Sequence, residues 1–181
     1  GVRFRLPASM NQVEYFGRGP AENYLDRNAG SMVGLYKSTA EELYFPYVRP
    51  QENGHHTDTR WVSLSTGKKG LLIQADNTIG FNALRNSIED FDDEEATGLS
   101  RQWSNFTPEQ VANHDEAAAK NVLRRQHHIN DITPRDFVEV CVDLKQQGVA
   151  GYDSWGSRPE PAYTLPANRE YNWGFTLIPL K

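Results

Sequence analysis

One cysteine, Cys141, stands among 181 residues, so no disulfide forms within the chain and no cysteine set completes a zinc site. Cations are outnumbered: 19 Lys and Arg face 24 Asp and Glu, for a net charge of −5. That balance argues against a nucleic-acid partner, which needs a strong local basic patch. No apolar run is long enough to cross a membrane as a helix, and no membrane partner is expected. No signal peptide opens the chain, and neither an internal repeat nor a low-complexity linker interrupts it. The opening Gly1-Val2 lacks an initiator Met and reads as the start of a piece cut from something longer, with Gly1 a vector scar. Several chemistries are missing too. Gly17-Arg18-Gly19-Pro20 begins like a dinucleotide fingerprint, but the third glycine is absent and Pro20 lacks a backbone donor. No Ser sits in a nucleophile elbow. The adjacent pairs His55-His56 and His127-His128 place their rings on opposite faces of any strand, so shared metal ligation is not expected. Carboxylates are plentiful, yet none form a pair at a defined separation.

What is present is alternation. Hydrophobic residues make up 38% and charged residues 24%, a globular composition of one-domain length, residues 1–181. "VRFRL" puts Val2, Phe4 and Leu6 on one face and Arg3 and Arg5 on the other. "QVEYF" continues in the same manner, and "GLLIQAD" reads as a buried strand. "DFVEVCVDL" sets Val138, Val140, Val142 and Leu144 against Phe137, Glu139, Cys141 and Asp143, with Cys141 a small apolar filler. "YNWGFTLIPL" closes the chain as a strand, with Trp173 in its core face and Gly174 at a bulge or close approach. Gly, Pro, Asn and Asp lie between these runs, which predicts an all-β, antiparallel sandwich. One short helix is expected from Pro108, where Thr107-Pro108-Glu109-Gln110 supplies a cap, a proline at the first helical position and a capping-box glutamine. The run Glu89-Asp90-Phe91-Asp92-Asp93-Glu94-Glu95 reads as a solvated loop.

"GYDSWGSRPEP", Gly151 to Pro161, places Trp155 among loop-building residues. An indole held in a surface loop needs something to cover its face: a ligand, its own domain or a neighbouring one. Gly151 and Gly156 permit backbone angles that a side chain resists, Asp153 and Ser154 can bond the turn backbone, and Pro159 and Pro161 limit freedom beyond it.

Three stretches in order, "GRGPAENYLDR" (17–27), "PYVRPQENGHHTDTR" (46–60) and "KQQGVAGYDSWG" (145–156), resemble the C-terminal, small-chain domain of the β-galactosidases of glycoside hydrolase family two. The resemblance runs through nearly the whole chain from about Val2. In the Trp loop, Ala150 stands where many members carry a glycine, and Tyr152 where they carry Asp or Asn. The resemblance implies a large antiparallel β-supersandwich like that of galactose mutarotases, of which this chain lacks the N-terminal part. It implies a retaining β-galactosidase as the parent, acting on terminal β-D-galactosides such as lactose. The catalytic glutamates, and the Mg and Na used with them, belong to a barrel domain outside this chain. No catalytic residue, metal or cofactor is expected here. Trp155 is implied to stack on sugar at the active-site rim, with Asp153 and Ser154 beside it. Glu52, Asn53 and His55 are a further set that would line that rim. The partners implied are the galactoside, the remaining domains of the parent and other copies of it in a homo-oligomer. Bacterial cytoplasm and periplasm both stay open.

The first two motifs read as structural on their residues: Gly17, Gly19 and Pro20 as a tight turn, tied down by Glu22, Asn23, Asp26 and Arg27, with Arg27 clamped to a carboxylate in a buried pair. Two other functions remain open. A free-standing carbohydrate-binding module would need Trp61, Trp103 or Trp173 as additional platforms, and a mutarotase-like isomerase would need more than fold analogy. Covering half an indole, about 100 Å², yields roughly 2.5 kcal/mol, whereas millimolar binding needs about 4 kcal/mol. A lone platform therefore biases a sugar that is already held elsewhere.

Overall fold

The structure is a computed structural model that describes residues 1–48, 50–91, 129, 132–153 and 156–181. The chain divides into two compact units, one of residues 1–45, 53–85 and 135–181, the other of 46–52 and 86–134.

The first unit is all-β. Strands β1 (Val2–Pro7), β2 (Gln12–Gly19), β3 (Met32–Thr39), β4 (His56–Ser65), β5 (Gly70–Leu84), β6 (Phe137–Asp143) and β7 (Phe175–Leu180) form one antiparallel sheet. Their order is β1-β6-β5-β4-β2-β3, with β7 added on β5. At 15 residues β5 is the longest strand, and it changes neighbours along its length. Gly70–Ala75 pairs with β7, and Gly80–Leu84 with β6.

The core follows from the register. Val13 lies opposite Leu64, Tyr15 opposite Val62, Val62 opposite Ile73 and Phe81 opposite Val142, and every one of these side chains is at most 2% exposed. Each buried aliphatic chain of this size contributes about 1.5–3 kcal/mol. In β6 the alternation places Val138, Val140 and Val142 inside, as expected, but Glu139 and Cys141 on the opposite face are buried as well. β6 is flanked by β1 and β5, and the arginines of β1 cover Glu139. Arg5 Nε donates to its carboxylate at 2.9 Å, Arg3 lies 3.6 Å away, and the Arg5 guanidinium sits over the Phe137 ring.

Two sequence expectations are corrected. Gly17 and Gly19 do not form a tight turn. They are the last part of β2, opposite Gly34 and Met32 of β3. A Cβ on Gly17 would lie 2.9 Å from the Thr59 backbone, and one on Gly19 would meet the Tyr15 hydroxyl and the Tyr36 ring, so both glycines serve close approach. Trp173 precedes β7 rather than lying in it. It is half-buried against Phe175, ring centroids 5.5 Å apart. Gly174 does make a close approach: a Cβ there would run into the Asp76 carboxylate, and its carbonyl accepts from Asp76 N at 3.0 Å.

In the second unit, Ile88–Asp90 forms a 3₁₀ turn. Asp90 Oδ2 accepts from Ser87 N at 2.9 Å, and Asn86 Nδ2 donates to the Thr133 carbonyl at 2.8 Å. At the start of the acidic run Glu89 is exposed as expected, but Asp90 and Phe91 are buried. The rest of that run, the expected helix from Pro108, Trp103 and His127-His128 lie outside the described residues.

Candidate functional site

The segment after β2 is built around Asn23, which is fully buried. Its Nδ2 donates to the carbonyls of Arg18 at 3.0 Å and Ala21 at 3.1 Å. Its Oδ1 accepts from Thr57 N at 2.9 Å and from the Thr57 hydroxyl at 2.6 Å. Its own backbone N–H donates to the His55 carbonyl at 2.7 Å. Glu22 adds a second tie: Oε2 accepts from Gly54 N at 2.8 Å, while Oε1 pairs with Arg27 at 2.7 Å. Arg18 Nε pairs with Asp58 at 2.5 Å and Nη1 donates to the Ser31 carbonyl. Motif 17–27 is thus stitched to residues 54–58 by short polar bonds. The Arg27 pair forms as expected, but its guanidinium is 52% exposed and lies over the Tyr24 ring, so it is not a buried clamp.

Asn53 and His55, two of the three further rim candidates, are each 1% exposed. Asn53 Oδ1 accepts from Phe45 N at 2.9 Å, and its carbonyl accepts from Asn82 Nδ2 at 2.6 Å. That bond orients the Asn82 amide, so His55 Nδ1 carries the proton it donates to Asn82 Oδ1 at 2.8 Å. The His55 ring stacks on Tyr24 and lies over Gly80, where a Cβ would sit 2.5 Å from it. Glu52 belongs to the second unit and is exposed. His56 is surrounded by Tyr15 and Phe81 and donates from Nδ1 to the Arg18 carbonyl at 3.1 Å. Burial, reinforced by the neighbouring His55, pushes its pKa down to about 4, so it is neutral at pH 7. The two adjacent imidazoles therefore have separate surroundings. Among the described residues no three His, Cys, Asp or Glu side chains converge on a metal position.

The third motif meets the first. Asp26 does not tie its own turn. Its carboxylate accepts from Val149 N at 3.0 Å and Ala150 N at 2.8 Å, more than 120 residues away. Gly148 fits beneath it, since a Cβ there would strike that carboxylate, and Gly148 N donates to the Tyr163 carbonyl at 2.8 Å. Beyond this anchor the backbone runs through positive φ at Ala150 (52°) and Gly151 (84°) and again at Gly156 (86°). Gly151 N donates to Ser157 Oγ at 3.1 Å, Asp153 Oδ1 accepts from Ser157 N at 3.2 Å, and the Tyr152 hydroxyl donates to the Arg158 carbonyl at 2.7 Å. These bonds close the base of the loop that carries Ser154 and Trp155 in sequence. Both of those residues lie outside the described set. Asp153 is exposed, as is Tyr152.

Two clefts border these elements. One of about 70 Å³ is lined by Leu25, His55, Thr57, Asp58, Lys145 and Gln146, among others. A wider one, about 230 Å³, is bordered by Tyr171, Trp173, Leu165, Leu144 and Lys145. Trp61, half-buried in β4, lies opposite Phe16 and Gln74. The role of Asp26 in joining distant motifs was not legible in sequence. An Asp near a turn bonds most often to its own turn, and only the sheet brings residues 26 and 149 together.

Comparison with known proteins places these features in a family. A family model described as beta galactosidase small chain matches residues 1–177. A β-galactosidase of Priestia megaterium is 34% identical over 181 residues, which covers 99% of this chain and 14% of that protein. One from Arthrobacter sp. is 41% identical over 96 residues, 50% of this chain and 10% of the relative. One from Vibrio cholerae is 29% identical over 177 residues, 98% of this chain and 14% of the relative. The chain thus spans a small fraction of the length of the curated relatives it matches. With its all-β architecture and a match that runs almost end to end, the chain belongs to the beta galactosidase small chain family.

Proposed function

We propose that residues 1–181 are the C-terminal accessory part of a β-galactosidase, a retaining glycosidase that hydrolyses terminal β-D-galactosides such as lactose. In this reading the seven-stranded sheet is a layer of a supersandwich of the mutarotase type. The remaining domains of the parent lie against its exposed apolar residues, among them Met32 and Leu35 of β3 and Leu177 of β7. The parent assembles as a homo-oligomer. The acid/base and nucleophile glutamates, with Mg and Na, belong to a barrel domain elsewhere in that protein.

This chain contributes Trp155. A pyranose has one face of C–H groups, and a flat, rigid indole suits it. The observation that carries the reading is a relay of bonds: Glu22 and Asn23 of the first motif hold Gly54 and Thr57 of the second, and Asp26 of the first holds Val149 N and Ala150 N of the third, where the loop bearing Trp155 begins. A loop whose entrance is tied to a buried polar network is what a platform held for a ligand requires. Asp153 fixes the turn through Ser157 N, with Ser154 beside it.

The test is Trp155→Ala in the full-length enzyme. Loss of about 100 Å² of stacking is worth up to about 2.5 kcal/mol, so KM for lactose should rise by roughly ten- to sixtyfold. Unchanged kinetics would remove Trp155 from the site. The isolated chain should leave a chromogenic galactoside intact, and hydrolysis by it would contradict an accessory role.

A further inference from the structure

We infer that Asp26 is a positioning residue for substrate binding: its carboxylate sets where the Trp155 loop stands, acting through the backbone of Val149 and Ala150. This rests on the reading of Trp155 given above. The argument begins with geometry. Two consecutive N–H groups, at 3.0 and 2.8 Å, point at the two oxygens of one carboxylate, Val149 to Oδ1 and Ala150 to Oδ2. A forked acceptor of this kind fixes the orientation of the peptide between 149 and 150 as well as its position. The site is also shaped for it. Gly148 leaves room for the Asp26 carboxylate, since a Cβ there would come within 2.6 Å of its Cγ.

The anchor sits where the chain enters unusual conformation. Ala150, one of the two bonded residues, has φ 52°, a region costly for a residue with a side chain. An N–H locked onto an anion selects that conformer against the extended alternatives. From there Gly151 N reaches Ser157 Oγ and Asp153 reaches Ser157 N, so both ends of the segment 151–157 depend on the direction in which residue 150 sends the chain. Asp26 in turn follows Glu22 and Asn23, which bind Gly54 and Thr57. The loop is thereby referenced to the sheet through a rigid polar chain and not only through its own turn. Stacking depends on ring placement to within a fraction of an ångström, so loosening the anchor should weaken sugar binding with little effect on the bond-breaking step.

The experiment compares four full-length enzymes: wild type, Asp26→Ala, Trp155→Ala and the double variant. Asp26→Ala should raise KM for lactose about three- to tenfold, change kcat less than twofold, and add nothing further in the Trp155→Ala background. Asp26→Asn, which keeps one acceptor oxygen, should fall between. Amide exchange at Val149 and Ala150 should accelerate at least tenfold in Asp26→Ala, while Val140 and Ala83 in the sheet stay protected, and this separates a local anchor from general destabilisation. If Trp155→Ala raises KM and Asp26→Ala does not, the positioning role is overturned and the reading of Trp155 stands. If Trp155→Ala leaves KM unchanged, that reading fails and the positioning role falls with it, leaving exchange to report only whether Asp26 holds the backbone. Equal KM effects of Asp26→Ala with and without Trp155 would also overturn the inference, because they would show action through another route.

Discussion

Asn23→Ala is expected to be the most damaging truncation in the segment joining β2 to β3. The side chain is fully buried and makes four hydrogen bonds. Their loss is unequal. The Arg18 carbonyl keeps His56 Nδ1 as a donor, and Ala21 is exposed, so water replaces the amide there. The Thr57 hydroxyl can rotate toward another acceptor. The Thr57 backbone N–H has no such freedom, and an orphaned buried donor costs about 1–3 kcal/mol. Two of the other bonds, lost for water or a poorer partner, add about 0.5 kcal/mol each, for a total near 3 kcal/mol. Urea unfolding followed by tryptophan fluorescence reads this directly. At a slope of about 2 kcal/mol/M the midpoint should fall by about 1.5 M. Thr57→Val removes only the hydroxyl and should cost about 1 kcal/mol, with less than additive loss in the double variant. A midpoint shift below about 0.3 M for Asn23→Ala would show that the segment is held by something other than this amide.

Two further outcomes follow from the same packing. His56 is buried neutral, with its pKa lowered from 6.5 to about 4, so the unfolded chain takes up its proton first as pH falls. Its contribution is intact above about pH 7 and shrinks through the window from 6.5 toward 4, amounting to about 2 kcal/mol by pH 5; His56→Asn should flatten that part of the stability profile, and an unaltered slope would refute the assignment. Gly54 has φ 72°, and a Cβ there would lie 2.8 Å from the Leu43 carbonyl and 2.9 Å from Leu84 Cδ2. Gly54→Ala should cost about 2–3 kcal/mol and lower the melting temperature by roughly 5–10 °C, whereas a loss under 2 °C would mean the backbone relaxes freely.

Where period-two alternation was intact, the sequence was readable. β1 and β6 show it along their full length, whereas their partners, Phe4↔Val140 and Val140↔Ala83, are fixed by the sheet and not by the alternation. β4 hid because its register slips on either side of Thr59, and Asp58 takes φ 51° there, so the apolar positions of His56–Ser65 fall out of step. β5 was seen only in its first half. The polar stretch Asp76-Asn77-Thr78 resembles a turn, yet the strand continues through it as its neighbour changes from β7 to β6. Of the site, the loop character of residues 151–153 and 156–160 was legible from Gly, Asp, Ser and Pro. The anchoring carboxylate was not, because nothing local to Asp26 announces a partner at residue 149. Likewise Asn53 and His55 look like surface polar residues in sequence, and only the network through Asn82 shows why they are buried.

Ala150 holds a left-handed backbone with a methyl group attached. A glycine there would take this backbone without strain, whereas alanine favours extended or right-handed backbone and gives up about 1 kcal/mol to stay, so the conformer depends on the carboxylate of Asp26 that holds its N–H. The direction in which the chain leaves residue 150 is therefore dictated from a distance of more than 120 residues, against the preference of the residue that bends.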